Sequence, residues 1–549
     1  MEVPQLENVD IAVIGAGAAG LYCTYRLLTG LDVDGNPKNV SVAVYEARQR
    51  IGGRINSVKL HRNSDAVELG AMRYLPNQKI INSLVENVIA KATDAAATDF
   101  EFDSFYHEDG HCLRRPLSFE ATESTTQCTS SKNGSRWVGK SIDGILETVV
   151  SDVLMADGFS LQELRNDPSK SHQKWNEMTQ TLTYRFTGPY ENWLLNNMSL
   201  DQVLRDQLDK ETYEFVRRYD AYDSTYYSSA CYGFEVCVED FTHNTKYRTV
   251  KGGLGIAMRY LEDEITRVGG KVCRGHKLHA FVKNRTGASG YKLILDIAPR
   301  NTRREVFAQN VILCIPPRGI ELLDPSSHLF AKDSSRNGFL RNALDSVRRI
   351  PGIKLYLLFK EPWWKNSLGR KARTVTDLPI RQSFYLPSEE KFGLSTVLAS
   401  YVDMDTCSWW QNWQAKADDG NGNKRSRAYQ SSAVRCQEQG YEPANSFVVE
   451  ELIAQLQQVH SEGVDVSRPV MAVYVDWSWK PGAKGWEVAP FTRRPFLDEN
   501  IFIAGEAYSD RHGWIEGAFC SAELVIREWF SMRAPEWLDE EEEPYYLGW

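Results

Sequence analysis

The chain has 549 residues, 42% of them hydrophobic and 25% charged, enough for several packed lobes and unlike a disordered or fibrous composition. Lys and Arg number 64 against 73 Asp and Glu, a net charge of −9. That balance excludes general electrostatic attraction to nucleic acid or to an anionic membrane surface. Aromatic residues reach 11%, with 15 Trp, 25 Tyr and 22 Phe, a composition that suits cores and also small-molecule pockets.

The first periodic signal is the β-branched run 9–14, which stops at Gly15-Ala16-Gly17-Ala18-Ala19-Gly20. Ala18, Leu21, Tyr22, Tyr25 and Leu28 then recur at helical spacing. A loop rich in Gly, Asp and Asn leads to the apolar run 40–46, a parallel strand expected to be covered on both faces. Strand, glycine turn, helix and strand make one βαβ unit. Amphipathic helical character follows over 140–218. Residues 311–315 read as a strand ended by Pro316-Pro317, and 501–504 as another ended by Gly505, with a helix over 516–530. Between them, 354–486 reads as mostly β. The polar stretch 418–424 reads as a mobile surface loop, and 539–543 as a solvated acidic run.

The expected architecture is therefore α/β: a Rossmann-like dinucleotide-binding domain interrupted by an inserted α+β substrate-binding domain and a helical domain. Its boundaries fall at 5–75, 248–325 and 490–535 for the first, 76–139, 231–247 and 326–489 for the second, and 140–230 for the third, with 536–549 an acidic tail. Ten cysteines form no CxxC pair and no Cys/His group at zinc spacing, so no metal centre is expected. Cys23, Cys314 and Cys520 lie in apolar segments and read as buried thiols. No leader-like segment and no run of about eighteen apolar residues is present, so a protein with no membrane partner is expected, cytoplasmic as given or secreted after removal of a leader.

A glycine turn between strand and helix lets a pyrophosphate approach the helix N-terminus, where N–H donors and the helix dipole meet it. Gly15, Gly17 and Gly20 with Ala18 and Ala19 supply that turn in its required context. Glu46, ending the second strand, can accept ribose hydroxyls and would repel a ribose phosphate, so NADP is disfavoured. After it come Ala47-Arg48-Gln49-Arg50-Ile51-Gly52-Gly53-Arg54 and Glu68-Leu69-Gly70-Ala71-Met72-Arg73. Gly505-Glu506 and Gly513-Trp514-Ile515-Glu516-Gly517 follow near the C-terminus. This ordered set, spread over 9–530, resembles the flavin-dependent amine oxidase family, and within it the L-amino acid oxidases.

The resemblance implies non-covalent FAD. Gly53 and Arg54 would lie along its phosphates, Glu506 near the pyrophosphate and ribityl region, and Gly513, Trp514 and Ile515 at the flavin carbonyl edge. Gly70, Ala71 and Met72 would also border the cofactor, and Leu278 would contact adenine. Arg73 matches the family arginine that binds the substrate carboxylate bidentately, and Tyr385 the tyrosine that shares it. Lys354, alone in an apolar strand, matches the lysine that holds a water where oxygen is reduced. Trp477, Trp479, Trp486 and Trp514 are candidates for an aromatic pocket wall. Asp220, Asp223, Glu235 and Glu487 are acids that could face the side chain; if they do, a basic amino acid is favoured, and otherwise an aromatic or aliphatic one.

The implied reaction moves hydride from an L-amino acid to the flavin and gives a 2-oxo acid, ammonia and, with molecular oxygen, hydrogen peroxide. A homodimer is expected. Alternatives on the same scaffold are a polyamine or monoamine oxidase, which would not need Arg73, and an amino acid 2-monooxygenase, whose usual N-terminal arm is lacking. A retained flavin-binding scaffold is a further alternative, against which Arg73 and Lys354 speak.

Overall fold

A computed structural model describes residues 7–108, 111–114, 136–137, 140, 142–167, 170–238, 246–284, 289–299, 302–330, 334–347, 349–369, 371–388, 393–416, 439–460, 464–477, 493–538, 540 and 544–548. Two sheets and a helical cluster dominate it. The first sheet has seven strands, five of them parallel: Lys271–Arg274, Val42–Glu46, Glu7–Ile14, Thr302–Leu313 and Ile501–Ile503. His276–Lys283 and Tyr291–Ile297 extend it as an antiparallel meander.

The sequence pattern explains the parallel core. Val42 to Tyr45 are all buried, as a strand covered on both faces requires. On one face the helices Ala18–Thr29, Gly255–Arg267 and Ile515–Phe530 share a single core, in which the Tyr22 and Phe519 rings lie 4.7 Å apart. The apolar run expected at 311–315 proves to be the end of a strand of twelve residues. Its first half is polar because it pairs with the meander and leaves Thr302 to Glu305 exposed. In register, Ile14 faces both Tyr45 and Leu313, and Leu313 faces Ile503. The carboxyl ends of four parallel strands are therefore level, where α/β sheets place their ligands.

The second sheet has eight strands, with Gly352–Phe359 and Ser395–Asp403 at its centre. The region expected to be mostly β also contains two helices, Thr406–Ala415 and Ser446–Val459, packed on this sheet. Val448, Leu452, Leu456 and Val459 form the buried stripe of the second, and the Asn445 side chain caps it through Val448 N–H at 2.9 Å.

The helical cluster runs from Ile142–Ala156 to Ala230–Cys237. Ala230, Cys231, Phe234 and Val238 pack within it, so helical packing continues past 230. Conversely, Ile80, Ile81, Leu84 and Val85 join the core of the first sheet, although 76–139 was expected with the second. Seven cysteines among the described residues are free thiols, and Cys23 and Cys520 are buried as expected. No described helix is long and apolar enough to cross a membrane, and no described group of His, Cys, Asp and Glu could hold a metal ion. The loop 418–424, Trp479, Trp486 and Glu487 lie outside the described residues.

Candidate active site

A cavity of about 440 Å³ opens where the parallel strands end, and Gly15, Glu46, Cys314 and Gly505 mark those ends on its wall. Gly15 has φ +103°, and a Cβ there would lie 2.6 Å from the Cys314 carbonyl oxygen. Gly20 lies behind the turn rather than on the cavity wall, and a Cβ there would collide with the Gly15 carbonyl at 1.9 Å. Gly17 has nothing within 4 Å of its Cβ direction, so this position leaves room for a ligand group. It caps the helix Ala18–Thr29 without a side-chain acceptor, which leaves the first N–H groups directed toward the cavity that Ala18 and Ala19 line.

Glu46 is held in place: its two carboxylate oxygens accept the N–H groups of Ala16 at 2.8 Å and Arg48 at 2.9 Å. Each oxygen keeps a lone pair for a hydroxyl. Farther along the wall, Arg54 donates to Glu506 at 2.6 Å, and Glu506 also accepts the Gly513 N–H. Gly53, Arg54, Gly70, Ala71 and Ile515 complete this side. Trp514 caps the helix Ile515–Phe530, again without a side-chain acceptor. Two uncapped helix N-termini and a carboxylate at one strand end fit an elongated dinucleotide such as FAD.

A second cavity, of about 400 Å³, adjoins the first, and Gly70, Ala71, Tyr222, Tyr401, Gly513 and Trp514 line both. Met72 and Arg73 face the second one. The Arg73 guanidinium lies 3.6 Å above the Tyr247 ring. Lys354 lies at the junction, buried, on the wall of the first cavity. Its Nζ donates to the carbonyls of Gly70 at 2.6 Å and Glu68 at 3.1 Å. Burial pushes its pKa down to about 7, with nearby Glu68 opposing and Arg73 reinforcing the fall. The indole N–H of Trp477 donates to the Leu69 carbonyl at 2.7 Å, so the loop that carries Arg73 is held from two sides.

The expected acids divide. Asp220 and Glu235 line the second cavity; Asp223 does not, and lies 3.4 Å from Arg217. Glu235 pairs with His172 at 2.6 Å, and His172 lies 3.3 Å from Asp510. Burial and Arg511 press the His172 pKa down, but the two carboxylates hold it up at about 10. Burial raises the Asp220 carboxyl, against the Tyr226 hydroxyl, the Tyr222 N–H and Arg381. Asp143, which sequence reasoning missed, lines the same cavity; desolvation raises its carboxyl and Arg373 opposes the rise.

Three residues expected at the site, Tyr385, Leu278 and Ala47, lie outside the lining of both cavities. Tyr385 lies outside the lining of both cavities: it is fully buried, and its hydroxyl faces His460 Nε2 at 2.9 Å. Its ring packs 5.5 Å from that of Trp364. The strand residue at the site is instead Tyr401, directly opposite Lys354 in register and with its ring 4.7 Å from the lysine Nζ. Leu278 is likewise a core residue between strands and lies outside the lining of both cavities. Ala47 also falls outside the lining, between Glu46 and Arg48.

The family described as flavin containing amine oxidoreductase matches residues 18–525. Achacin of Lissachatina fulica is 23% identical over 96% of this chain and 94% of its own length. An L-amino-acid oxidase of Notechis scutatus scutatus is 21% identical over 94% of this chain and 86% of its own. Among solved structures, putrescine oxidase bound to putrescine superposes with a TM-score of 0.61 at 14% identity, covering 95% of this chain and 99% of the other. At that identity the likeness is one of fold.

Proposed function

The chain belongs to the flavin-containing amine oxidoreductases, and on that premise we propose that it is an L-amino-acid oxidase. It would convert an L-amino acid, with oxygen and water, to a 2-oxo acid, ammonia and hydrogen peroxide. FAD, when bound there, would supply the acceptor for the hydride of the substrate α-carbon and the route of its electrons to oxygen. The observation that carries the reading is Arg73. Its guanidinium faces the second cavity beside the residues shared with the first, where it can bind an α-carboxylate bidentately. A polyamine or monoamine has no carboxylate for it.

The remaining residues position and enclose. Glu46 would hold the ribose hydroxyls, the helix N-terminus at Gly17 the phosphates, and Arg54 with Glu506 the adjoining region. Carboxylate capture at Arg73 orients the substrate, and orientation supplies much of a rate enhancement when no protein base is required. Lys354, with its pKa near 7, can hold or release a proton at Nζ close to neutrality. Non-covalent attachment is supported by the lining of the first cavity: among the described residues its cysteine is Cys314, at the glycine-turn end.

For the substrate side chain we favour a basic one. Glu235 and Asp510 are paired with His172, which leaves Asp143 and Asp220 as the described lining acids with no cationic partner of that kind. Asp143 further raises the Asp220 carboxyl, so a cation between them would relieve their repulsion, with Arg373 on the same wall moderating the gain. A peroxide-coupled screen of L-amino acids, D-enantiomers and polyamines tests both levels. The expected result is turnover of L-amino acids alone, with L-lysine and L-arginine ahead of L-leucine and L-phenylalanine. Turnover of polyamines in place of L-amino acids would overturn the whole reading, and a lead for L-leucine would overturn the basic preference.

A further inference from the structure

Arg73, Tyr247 and Trp514 meet on the wall of the second cavity. The guanidinium carbon lies 3.6 Å from the Tyr247 ring centroid. The Tyr247 ring lies 6.3 Å from that of Trp514, with their planes 18° apart. Three segments distant in sequence converge here, and backbone pairing holds them. Tyr74 N–H donates to the Arg248 carbonyl at 2.8 Å, and Arg248 N–H returns the bond at 2.9 Å. Phe100 N–H donates to the Tyr247 carbonyl at 2.7 Å. Trp514 is in turn the N-cap of the long helix Ile515–Phe530. Tyr247 is thus fixed by main-chain bonds on its own residue and on the next.

A guanidinium offers two independent surfaces. Its face is attracted to an aromatic quadrupole, and its edge carries the N–H donors that grip a carboxylate. A ring against the face does not cover the edge, and it removes rotational freedom that carboxylate binding would otherwise have to freeze out. We propose that Tyr247 is a positioning residue, a platform that orients the Arg73 guanidinium for the substrate carboxylate and transmits the rigidity of Trp514 and its helix to that contact. The proposal rests on the reading of Arg73 as the carboxylate clamp.

The test uses FAD-loaded enzyme, with benzoate as a simple carboxylate probe titrated against the flavin absorbance, alongside KM and kcat for the best L-amino acid. Tyr247→Phe keeps the ring and should hold benzoate affinity and KM near those of the parent. Tyr247→Leu should weaken benzoate and raise KM about tenfold, equivalent to about 1.4 kcal/mol, with kcat little changed and flavin retained. Arg73→Ala should weaken benzoate further, and adding Tyr247→Leu to it should cost nothing more, because a platform with nothing to orient has no effect. A Tyr247→Leu enzyme that binds benzoate like the parent, or additive losses in the double variant, would overturn the platform while leaving Arg73 as the clamp. Unchanged benzoate binding in Arg73→Ala would overturn both.

Discussion

Replacing Lys354 with methionine should change stability in a way that depends on pH, and the geometry supplies the size. The ammonium is buried and titrates near 7 in place of 10.5. At about 1.4 kcal/mol per pH unit, keeping it protonated costs the folded state about 5 kcal/mol at any pH below 7. Between 7 and 10.5 the unfolded chain binds the extra proton, so this cost shrinks as pH rises and vanishes near 10.5. Methionine has similar length and no charge, so it abolishes the cost at every pH. Against that, the Gly70 carbonyl loses its donor, at about 1–3 kcal/mol. The Glu68 carbonyl keeps the Tyr356 hydroxyl at 2.5 Å, and the Glu68 carboxylate keeps the Ser57 hydroxyl and the Leu254 N–H. The net expectation is a variant more stable than the parent by about 2–4 kcal/mol at pH 6, with the advantage reversed near pH 10. Thermal midpoints of both proteins, taken at saturating FAD from pH 6 to 10, read the sign and the trend; a chain with several lobes does not license a two-state free energy. A difference in midpoint that stays constant with pH, or that grows as pH rises, would refute the assignment of a depressed lysine at this position. The same variant should lose turnover, since methionine can carry no proton at Nζ.

Tyr385→Phe should leave KM for L-amino acids within about twofold and lower the thermal midpoint slightly, because it removes the buried hydroxyl that meets His460 at 2.9 Å and, more loosely, Thr374 at 3.4 Å, a loss of about 1–2 kcal/mol; a large rise in KM would return Tyr385 to the substrate. Asp143→Asn should lower kcat/KM for L-lysine and L-arginine about tenfold, a charge contact of about 1.4 kcal/mol, while leaving L-leucine nearly unchanged. An equal loss for all three substrates would show that Asp143 shapes the cavity and does not read charge.

The contrast between Tyr385 and Tyr401 shows where a single sequence stops being legible. Motifs whose chemistry depends on local backbone could be read directly: the turn at Gly15, Gly17 and Gly20 needs only its own strand and helix, and Glu46 needs only to end the next strand. Arg73 and Lys354 stood out because a charged side chain in an apolar or glycine-rich setting demands a partner. Trp514 was legible as the residue that opens a helix. Tyr401 carries no such mark. It is one tyrosine in a buried strand, and what makes it a site residue is its register opposite Lys354, a relation between segments 47 positions apart that hydrophobic pattern does not encode. Tyr385 lies on the next strand of the same sheet, in the run Gln382–Leu386, and its ring falls among Trp363, Trp364 and His460. Asp143 and Tyr247 were illegible for the same reason, because helix docking and one pair of backbone hydrogen bonds bring them to the cavity. The split is physical: cofactor contacts here are built from local turns, whereas substrate contacts are assembled from strands and helices far apart in the chain. A reading from sequence is therefore expected to be strongest where phosphates bind and weakest where the side chain of the substrate is chosen.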